Sequence, residues 1–365
     1  MKIVFANNNL FGLVQFRKDV IMHLVEKGHE VVAVVPTSDE SANKLDGVRV
    51  EYIPFNRAST NPFHDIKLLY HLIRVFKRER PDYGFFFTIK PNVYGTIAAH
   101  FCGFPSSMMM AGLGYTFTNG RISSRIARAL YRVALSLTDN LLLLNEDNVK
   151  TVLKLKLCNQ EKIILLSGGE GVNLKQYLYH DNRNDGIIFL FIGRLLKEKG
   201  VFDFVEAARE VKNLYPNVEF QIAGSIDKLF PDSLKESDLE ELEKSHIVKY
   251  LGSIDMAKKL TESGLVIAIP SYYSEGLNRS LMEGCAAGKP IITTSQPGCK
   301  ETVIDGENGY MVPPQHPHEL AEAMIRYINL PEDEKIQMSQ KSRLHAEKYF
   351  DVKTVIDVYD SIIKA

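Results

Sequence analysis

The chain has 365 residues, which exceeds the usual size of a single hydrophobic core and favours two domains. Its apolar fraction of 45% and charged fraction of 24% are those of a soluble globular protein. The 44 basic residues nearly balance the 45 acidic ones, which argues against a general nucleic-acid-binding role.

The chain opens on an apolar, strand-like run, with no charged-then-apolar leader before it. Its four cysteines are far apart and show no Cys-x-x-Cys spacing, which favours free thiols in a reducing compartment. No apolar run approaches the ~20 residues of a membrane-spanning helix. The sequence therefore predicts a cytoplasmic protein whose contact with a membrane is at most peripheral.

Strand-like and helical runs alternate through the first half of the chain. Strands are predicted at 2–7, 30–36, 48–54, 83–88, 106–111 and 140–145, and helices at 16–27, 64–80, 92–102 and 121–137. Strand, helix and strand at this spacing form βαβ units, so the pattern predicts a parallel sheet with right-handed crossovers.

The loop at 7–12 follows the first predicted strand, where a dinucleotide-binding sheet carries a Gly-x-Gly-x-x-Gly turn. Only one glycine, Gly12, is present, so the dinucleotide pattern is absent. The loop is either merely polar or ligand-facing. Because loops at the carboxyl edge of such sheets often bind ligands, we expect the second.

Two predicted helices are rich in basic residues. One carries four arginines on a single face, at Arg121, Arg125, Arg128 and Arg132, with Ile122, Ile126, Ala129 and Leu130 on the opposite face. The other ends in a cluster of Arg74, Lys77, Arg78 and Arg80, which complements a helix C-terminus. The alternative to a binding role is a solvated surface. A row of guanidinium groups, however, suits an anionic lipid surface or a diphosphate-linked substrate.

The second half of the chain repeats the alternation. Strands are predicted at 186–193, 218–223, 248–251, 264–270 and 289–295, and helices at 201–214 and 277–288. The chain is therefore expected to be α/β, with two doubly wound domains in tandem and a glycine-rich hinge near 167–173. The predicted domains are 1–166 and 167–345, followed by a C-terminal segment at 346–365.

A basic loop follows the predicted strand at 186–193. Gly193 allows a close backbone turn at the strand end, and Arg194 and Lys199 follow it on one loop. An arginine fork and a lysine charge near a helix N-terminus suit a diphosphate. The alternative is a surface loop without a ligand, but its position at the carboxyl end of a strand favours binding.

A strand, a polar turn and a helix occupy residues 267–290. Glu275 lies in the turn, and Glu283 lies about two turns into the helix, eight residues later. Carboxylates accept hydrogen bonds from vicinal hydroxyls and are costly to bury alone. At a helical rise of ~1.5 Å per residue, the two carboxylates can bind groups that are separated by about the length of a nucleotide-sugar. The same spacing also arises by chance, so by itself it is weak evidence.

Four segments together resemble the family-4 retaining glycosyltransferases. They are 193–200, 275–283, Gly171-Val-Asn173 and Asp305-Gly-Glu-Asn-Gly309. The resemblance covers essentially the whole chain and implies the GT-B fold, in which two Rossmann-like domains face each other across a cleft. It implies that the C-terminal domain binds a nucleotide-sugar donor, that the N-terminal domain binds the acceptor, and that the last helix crosses back to the first domain.

The same resemblance gives individual residues expected roles. Arg194 and Lys199 would hold the donor diphosphate, Glu275 the sugar hydroxyls and Glu283 the ribose, with Gly193 and the backbone N–H groups of Gly276 and Leu277 completing the donor site. The expected catalytic residues are Arg194, Lys199 and Glu275, which act by positioning and charge stabilisation. No carboxylate nucleophile stands out. The family is taken to react on one face, with the leaving diphosphate helping to deprotonate the incoming hydroxyl.

The N-terminal half resembles one branch of this family. Segments 55–63 and 112–114 are similar to N-acetylgalactosaminyltransferases that extend undecaprenyl-diphosphate-linked sugars, and to capsule and O-antigen enzymes. The resemblance implies a UDP-sugar donor and a lipid-linked saccharide acceptor. The expected acceptor-binding residues are Gly12, Arg57, Lys90 and Tyr115. Segment 112–117 lacks the histidine that many family members carry, so no role is transferred from it.

The chain contains no Asp-x-Asp pair, and its ten histidines show no metal-binding spacing, so metal-independent transfer without a cofactor is expected. The expected partners are the donor, the acceptor and an anionic inner-membrane surface, with no nucleic acid. Two alternatives remain, a nucleotide-sugar 2-epimerase of the same architecture and a non-catalytic nucleotide-sugar-binding subunit. A Rossmann dehydrogenase is least favoured, because both predicted sheets lack its glycine pattern.

Overall fold

The computed structural model describes residues 1–37, 45–55, 61–113, 122–180, 186–226 and 233–364, with the backbone alone for 122–124. The chain forms two compact units. The N-terminal unit comprises Met1–Glu170 together with Val352–Ala365, and the C-terminal unit comprises Gly171–Asp351. The chain therefore passes between the units at 170/171 and again at 351/352.

Within the described residues, the N-terminal unit contains a seven-stranded sheet of order β3-β2-β1-β4-β5-β6-β7, and all of its pairs are parallel. Its strands are β1 Lys2–Ala6, β2 Glu30–Pro36, β3 Val48–Ile53, β4 Tyr83–Phe87, β5 Ser106–Met110, β6 Asn140–Leu143 and β7 Ile163–Leu165. The strand order reverses between β1 and β4, which is where open α/β sheets bind ligands.

The C-terminal unit contains, among its described residues, a six-stranded parallel sheet of order β10-β9-β8-β11-β12-β13. Its strands are β8 Ile188–Ile192, β9 Glu219–Ala223, β10 Lys249–Tyr250, β11 Leu265–Ile269, β12 Ile291–Thr294 and β13 Gly309–Val312. Here the order reverses between β8 and β11. Both units are Rossmann-like, as predicted.

Helices cover the two sheets. In the N-terminal unit they are α1 Leu10–Glu26, α2 Pro62–Glu79, α3 Thr96–Cys102, α4 Ile122–Leu137 and α5 Glu146–Lys154. In the C-terminal unit they are α6 Val201–Leu214, α7 Glu236–Lys244, α8 Met256–Lys259, α9 Arg279–Ala286, α10 Pro317–Ile328 and α11 Glu332–Tyr349. The last helix, α12 Val352–Lys364, belongs to the N-terminal unit.

The two faces of the N-terminal sheet are covered by different helices. Cross-strand partners share a face, and one such row is Ala6, Phe86, Met108 and Leu141. The side chains of this face pack against α2, α3 and α4. The opposite face, which includes Phe5, packs against α1 and α12.

The C-terminal helix α12 is held to α1 by polar contacts as well as by apolar packing. Asp360 of α12 forms an ion pair with Lys27 and contacts Nε2 of His23 at 3.3 Å. Burial opposes ionisation of Asp360, but the hydrogen bonds from Lys27 and His23 outweigh it and lower its pKa.

The structure departs from the predicted elements at several places. Helix α1 begins at Leu10, not at 16, because Asn9 caps it by accepting from the Gly12 N–H at 2.7 Å. Gly12 therefore lies in the first turn of a helix and not in a loop. On α4, Ile126 of the apolar face opposite the arginines is exposed, and the buried side chains include Tyr131 and Leu135, so a different side of the helix packs on the sheet.

Candidate active site

The two segments that the sequence singles out for the donor meet at one edge of the C-terminal sheet. Strands β8 and β11 pair in parallel, so the loops that follow them, 193–200 and 270–278, emerge side by side. These two strands flank the reversal of strand order. The site therefore lies at the topological switch point, where the ends of α/β strands leave a crevice.

Close backbone contacts fix these loops. Gly200 has φ +81°, and a Cβ atom there would collide with the carbonyl oxygen of Pro270, the first residue after β11. A Cβ at Gly224, which follows β9, would collide with the carbonyl oxygen of Gly193 in the same way. Only glycine permits this approach of loop to loop.

An ion pair joins the two loops across the switch point. Nζ of Lys199 lies 2.5 Å from Oε1 of Glu275, and both side chains are only 13% exposed. Oε1 of Glu275 also accepts hydrogen bonds from Oγ of Ser271 at 3.1 Å and from Nδ2 of Asn278 at 3.3 Å. The carboxylate is thus oriented by three groups before any ligand arrives.

Tyr273 brings the second predicted cation to the same place. Its hydroxyl is hydrogen-bonded to the Arg194 guanidinium, and its ring centroid lies 5.3 Å from Nζ of Lys199. Burial raises the pKa of Tyr273, while the charge of Arg194 opposes that rise. Arg194 itself is exposed, so its guanidinium is accessible to an anion.

Helix α9 begins beside this pair and carries the second glutamate. Asn278 caps the helix by accepting from the Leu281 N–H at 3.2 Å, while its Nδ2 donates to Glu275. Gly298, with φ +92°, packs against Glu275, and its carbonyl oxygen accepts from the Asn278 N–H at 2.8 Å. Gly276 and Leu277, the predicted phosphate-binding positions, are buried in the turn that leads into this helix.

Glu283 is buried and held by two partners. Its Oε1 accepts hydrogen bonds from the Tyr177 hydroxyl and from Nε of Arg279, each at 2.8 Å. Arg279 also donates from Nη1 to the carbonyl oxygen of Gly171 at 3.0 Å. Burial and the nearby Glu283 charge raise the pKa of Tyr177, so Tyr177 stays protonated and donates. Glu283 is therefore pre-oriented inside the unit, with a side chain 3% exposed.

The turn 305–309, which is part of the family resemblance, has a structural role. In the turn 305–309, Oδ1 of Asp305 accepts from the Met311 N–H at 2.9 Å, and Nδ2 of Asn308 donates to the Thr302 carbonyl at 3.0 Å. A Cβ at Gly309 would collide with the backbone of Ile291 in β12. These residues shape the start of β13.

Two of the four predicted acceptor-binding residues lie within the described part of the N-terminal unit. Gly12 follows β1 and Lys90 follows β4, so both flank the switch point of that sheet. Nζ of Lys90 forms an ion pair with Oδ1 of Asp65 at 2.7 Å, and the Tyr94 hydroxyl donates to Oδ2 of Asp65 at 2.8 Å. Arg57 and Tyr115 lie outside the described residues, as does Arg121 of the arginine row.

The backbone around Lys90 is unusual. Thr88, directly after β4, has φ +67°, which is strained for a β-branched residue. A π-helical turn at Pro91–Gly95 follows and leads into α3. Strained residues and π turns of this kind cluster at functional sites.

Several residues of the candidate site were missed in the sequence analysis. Ser271, Tyr273 and Asn278 lie inside the stretch 267–290, and the Asn before a helical run is a recognisable cap signal. Tyr177 and Arg279 hold Glu283, and an arginine at i−4 on the same helix is also readable. Tyr177 lies 106 residues from Glu283, and nothing in the sequence links the two.

The described ranges contain neither a membrane-spanning helix nor a cluster of metal-binding side chains. No helix in them is both long enough and apolar enough to cross a membrane. Nowhere in them do three or more His, Cys, Asp or Glu side chains gather in a way that would hold a metal ion.

Comparison with known proteins assigns both halves of the chain. Residues 8–145 match the model described as "Glycosyl transferase 4-like", and residues 179–345 match "Glycosyl transferases group 1". The two matches together span most of the chain, which belongs to the glycosyltransferases that these models describe, and its fold is GT-B. The predicted family, fold and enzyme class are thereby confirmed, and the 2-epimerase and the non-catalytic subunit are not favoured.

Relatives of this glycosyltransferase align over its full length. An N,N'-diacetylbacillosaminyl-diphospho-undecaprenol alpha-1,3-N-acetylgalactosaminyltransferase of Campylobacter jejuni is 26% identical over 100% of both chains. A Staphylococcus aureus capsular polysaccharide biosynthesis glycosyltransferase, CapM, is 23% identical over 98% of this chain and 97% of its own. The structure of Anabaena HepE in complex with UDP and glucose superposes with a TM-score of 0.83 at 17% identity, covering 100% of both chains. This last likeness shows the fold.

Tyr177→Phe tests the support of Glu283. We expect the free energy of unfolding of the C-terminal unit to fall by about 1.5–3 kcal/mol, because a hydrogen bond to a buried carboxylate is lost. The matched control is Tyr215→Phe in the same unit, whose exposed hydroxyl donates to Asn329 at 3.0 Å. Its expected loss is within about 0.5 kcal/mol. Urea unfolding of both variants makes the measurement, and equal losses would contradict a special role for Tyr177.

Proposed function

We propose that this glycosyltransferase moves a hexose or N-acetylhexosamine from a UDP-sugar to a polyprenyl-diphosphate-linked saccharide. The reaction serves assembly of a bacterial surface polysaccharide or of a protein-linked glycan. The proposed donor rests on one observation, which is that Arg194, Lys199 and Glu275 converge at the switch point of the C-terminal sheet. The acceptor class is supported by the activity named for the Campylobacter jejuni relative, and the choice of UDP by the ligand in the Anabaena HepE structure.

In the proposed donor complex, the cations bind the diphosphate. The ammonium group of Lys199, which is paired with Glu275, also forms an ion pair with a phosphate oxygen. The exposed guanidinium of Arg194 donates hydrogen bonds to the same diphosphate. Glu275 then accepts hydrogen bonds from the sugar hydroxyls, and Glu283 accepts from the ribose. Gly193 allows the backbone turn, and the N–H groups of Gly276 and Leu277 face the phosphate.

The proposed reaction retains the anomeric configuration. The bond between the anomeric carbon and the β-phosphate oxygen breaks, and the acceptor hydroxyl oxygen bonds to that carbon on the same face. The hydroxyl proton passes to the departing diphosphate, which leaves as UDP. Arg194 and Lys199 act by stabilising the charge that develops on the diphosphate as the first bond breaks. The protein thus contributes position and electrostatics, with no covalent intermediate on Glu275.

On the acceptor side, the proposal uses the switch point of the N-terminal unit. Lys90 and Gly12 follow its two central strands, and a diphosphate would compete with Asp65 for the Lys90 ammonium. Arg57 and Tyr115 complete the proposed acceptor set. A polyprenyl tail keeps the acceptor in a bilayer. The proposed enzyme is therefore cytoplasmic and lies at the inner face of the membrane, in peripheral contact with anionic lipid.

Substitutions at the ion pair separate binding from transfer. Lys199→Met should weaken UDP binding about 10- to 100-fold, the loss expected for one charge-assisted contact. Glu275→Gln should leave UDP affinity within about threefold but lower transfer about 10²- to 10³-fold, because its contacts are to the sugar. Calorimetric titration with UDP and turnover with a UDP-sugar measure both quantities.

The matched controls for this pair are Lys341→Met and Glu307→Gln. These two residues form an exposed ion pair at 3.9 Å in the same unit, so their loss should change neither UDP affinity nor turnover. Unchanged UDP affinity in Lys199→Met, or full turnover in Glu275→Gln, would contradict the proposed donor site.

We also propose that transfer needs no metal ion. In enzymes with a pair of carboxylates, a bound metal neutralises the donor diphosphate, and here the cationic side chains at 193–200 do so. Turnover should therefore be the same in EDTA and in millimolar magnesium. The measurement is initial rate against added chelator and then added metal. Strict dependence on magnesium would overturn this part of the proposal.

A further inference from the structure

Within the described residues, three helices cover one face of the N-terminal sheet, and the outer side of this layer has an unusual composition. Helices α2, α3 and α4 all pack on the face that carries Ala6, Phe86, Met108 and Leu141. Their other sides point away from the sheet. We call these sides the outer helix surface.

Helix α2 presents two distinct stripes. Its buried stripe, which includes Leu68, Leu72 and Phe76, packs on the sheet. On the opposite side, Phe63 is 78%, Ile66 64% and Tyr70 61% exposed. Spacings of three and four place these three residues in one line along the helix. An exposed apolar line of this kind on a soluble domain marks an interaction surface.

The neighbouring helices extend the pattern. Phe101 is exposed at the end of α3, and α4 exposes Ile126 and Val133, which lie seven residues apart on one side. Among the described side chains of these helices, the large apolar ones exposed on the outer helix surface are Phe63, Ile66, Tyr70, Phe101, Ile126 and Val133.

The exposed charges on these helices have one sign. Among the described side chains of α2, α3 and α4, the exposed cations are Lys67, Arg74, Lys77, Arg78, Arg125 and Arg132. The two acidic residues, Asp65 and Glu79, are not exposed and are paired with cations. Arg78 is itself paired with Glu51. The surface is thus cationic on a chain whose overall net charge is −1.

We propose that the outer helix surface docks the enzyme on an anionic phospholipid bilayer. Aromatic and aliphatic side chains on exposed helix faces insert at the headgroup boundary, and each nearby Lys or Arg adds attraction to anionic lipid. The choice of a bilayer rests in part on the proposed function, in which the acceptor is lipid-linked. The inference goes beyond that function by assigning the contact to α2, α3 and α4.

Charge complementarity decides against the other obvious occupant, a second copy of this chain. A symmetric dimer through this surface would bring like charges of two copies together, and that juxtaposition is unfavourable. An anionic bilayer supplies the opposite charge and an apolar interior at once.

The test measures binding of the full-length protein to large unilamellar vesicles by co-sedimentation. Vesicles of phosphatidylcholine with 30% phosphatidylglycerol should bind the protein, and pure phosphatidylcholine at least about tenfold less. Phe63→Ser/Tyr70→Ser should lower the partition coefficient at least about tenfold, since two inserted aromatic side chains are lost. Lys67→Gln/Lys77→Gln should lower it by a similar factor, and more at low salt.

Matched controls distinguish an effect of the outer helix surface from a general effect of removing exposed apolar or charged side chains. Leu214→Ser/Leu344→Ser removes two equally exposed apolar side chains of the C-terminal unit. Lys150→Gln/Lys244→Gln removes two exposed lysines outside α2, α3 and α4. Neither control should change vesicle binding by more than about twofold.

The outcomes are distinguishable from failure of the proposed function. UDP binding, measured on the same samples, should be unchanged in all four variants, because none of the substituted residues lies at the donor site. Vesicle binding that is insensitive to the α2 substitutions, or equally sensitive to the controls, overturns the inference even if UDP binds. A wild-type dimer that becomes monomeric in Phe63→Ser/Tyr70→Ser, with unchanged vesicle binding, also overturns it.

Discussion

The ion pair between Lys199 and Glu275 is the interaction on which the candidate site depends. It joins the loop after β8 to the loop after β11, and both partners are mostly removed from water. A pair in this position is costly unless its remaining hydrogen-bonding capacity is satisfied. Ser271 and Asn278 supply that satisfaction for Glu275. The site is therefore built in advance of its ligand, as electrostatic catalysis requires.

A buried, pre-formed pair also has a consequence for binding. A diphosphate that enters the site must compete with Glu275 for Lys199, and it gains in return the exposed guanidinium of Arg194. A ribose hydroxyl that donates to Glu283 need not displace a partner, because Tyr177 and Arg279 both donate to only one of its two carboxylate oxygens, Oε1. The proposed donor site thus combines a lysine that can exchange its partner with a carboxylate that its neighbours hold in place.

The architecture and the two loops that meet at the candidate site were accessible from the sequence, because both follow from local patterns. An apolar run that ends in glycine predicted β8. The parallel pairing of β8 with β11 brings the loops at Lys199 and Glu275 together. The sequence predicted no strand at β7 or β13, and both of these short strands lie at an edge of their sheet. The start of α1 was missed because Gly12 interrupts the helical pattern, whereas in the structure Asn9 and the close approach of Asn7 make glycine fit there.

Contacts between distant segments could not be predicted. The Tyr177–Glu283 hydrogen bond and the Lys90–Asp65 ion pair arise from tertiary packing, and neither partner carries a signal of the other. The outer helix surface illustrates a third limit. The spacing of its basic residues was visible in the sequence, but the exposure of Ile126 became apparent only when the packing of α4 was known.

The most direct measurement of the central claim is backbone hydrogen exchange of the whole protein with and without saturating UDP. If the donor nucleotide binds at the switch point of the C-terminal sheet, exchange should slow at 193–200 and 275–283 and remain unchanged at 7–12. No slowing at saturating UDP, or slowing confined to segments away from these two, would contradict the account.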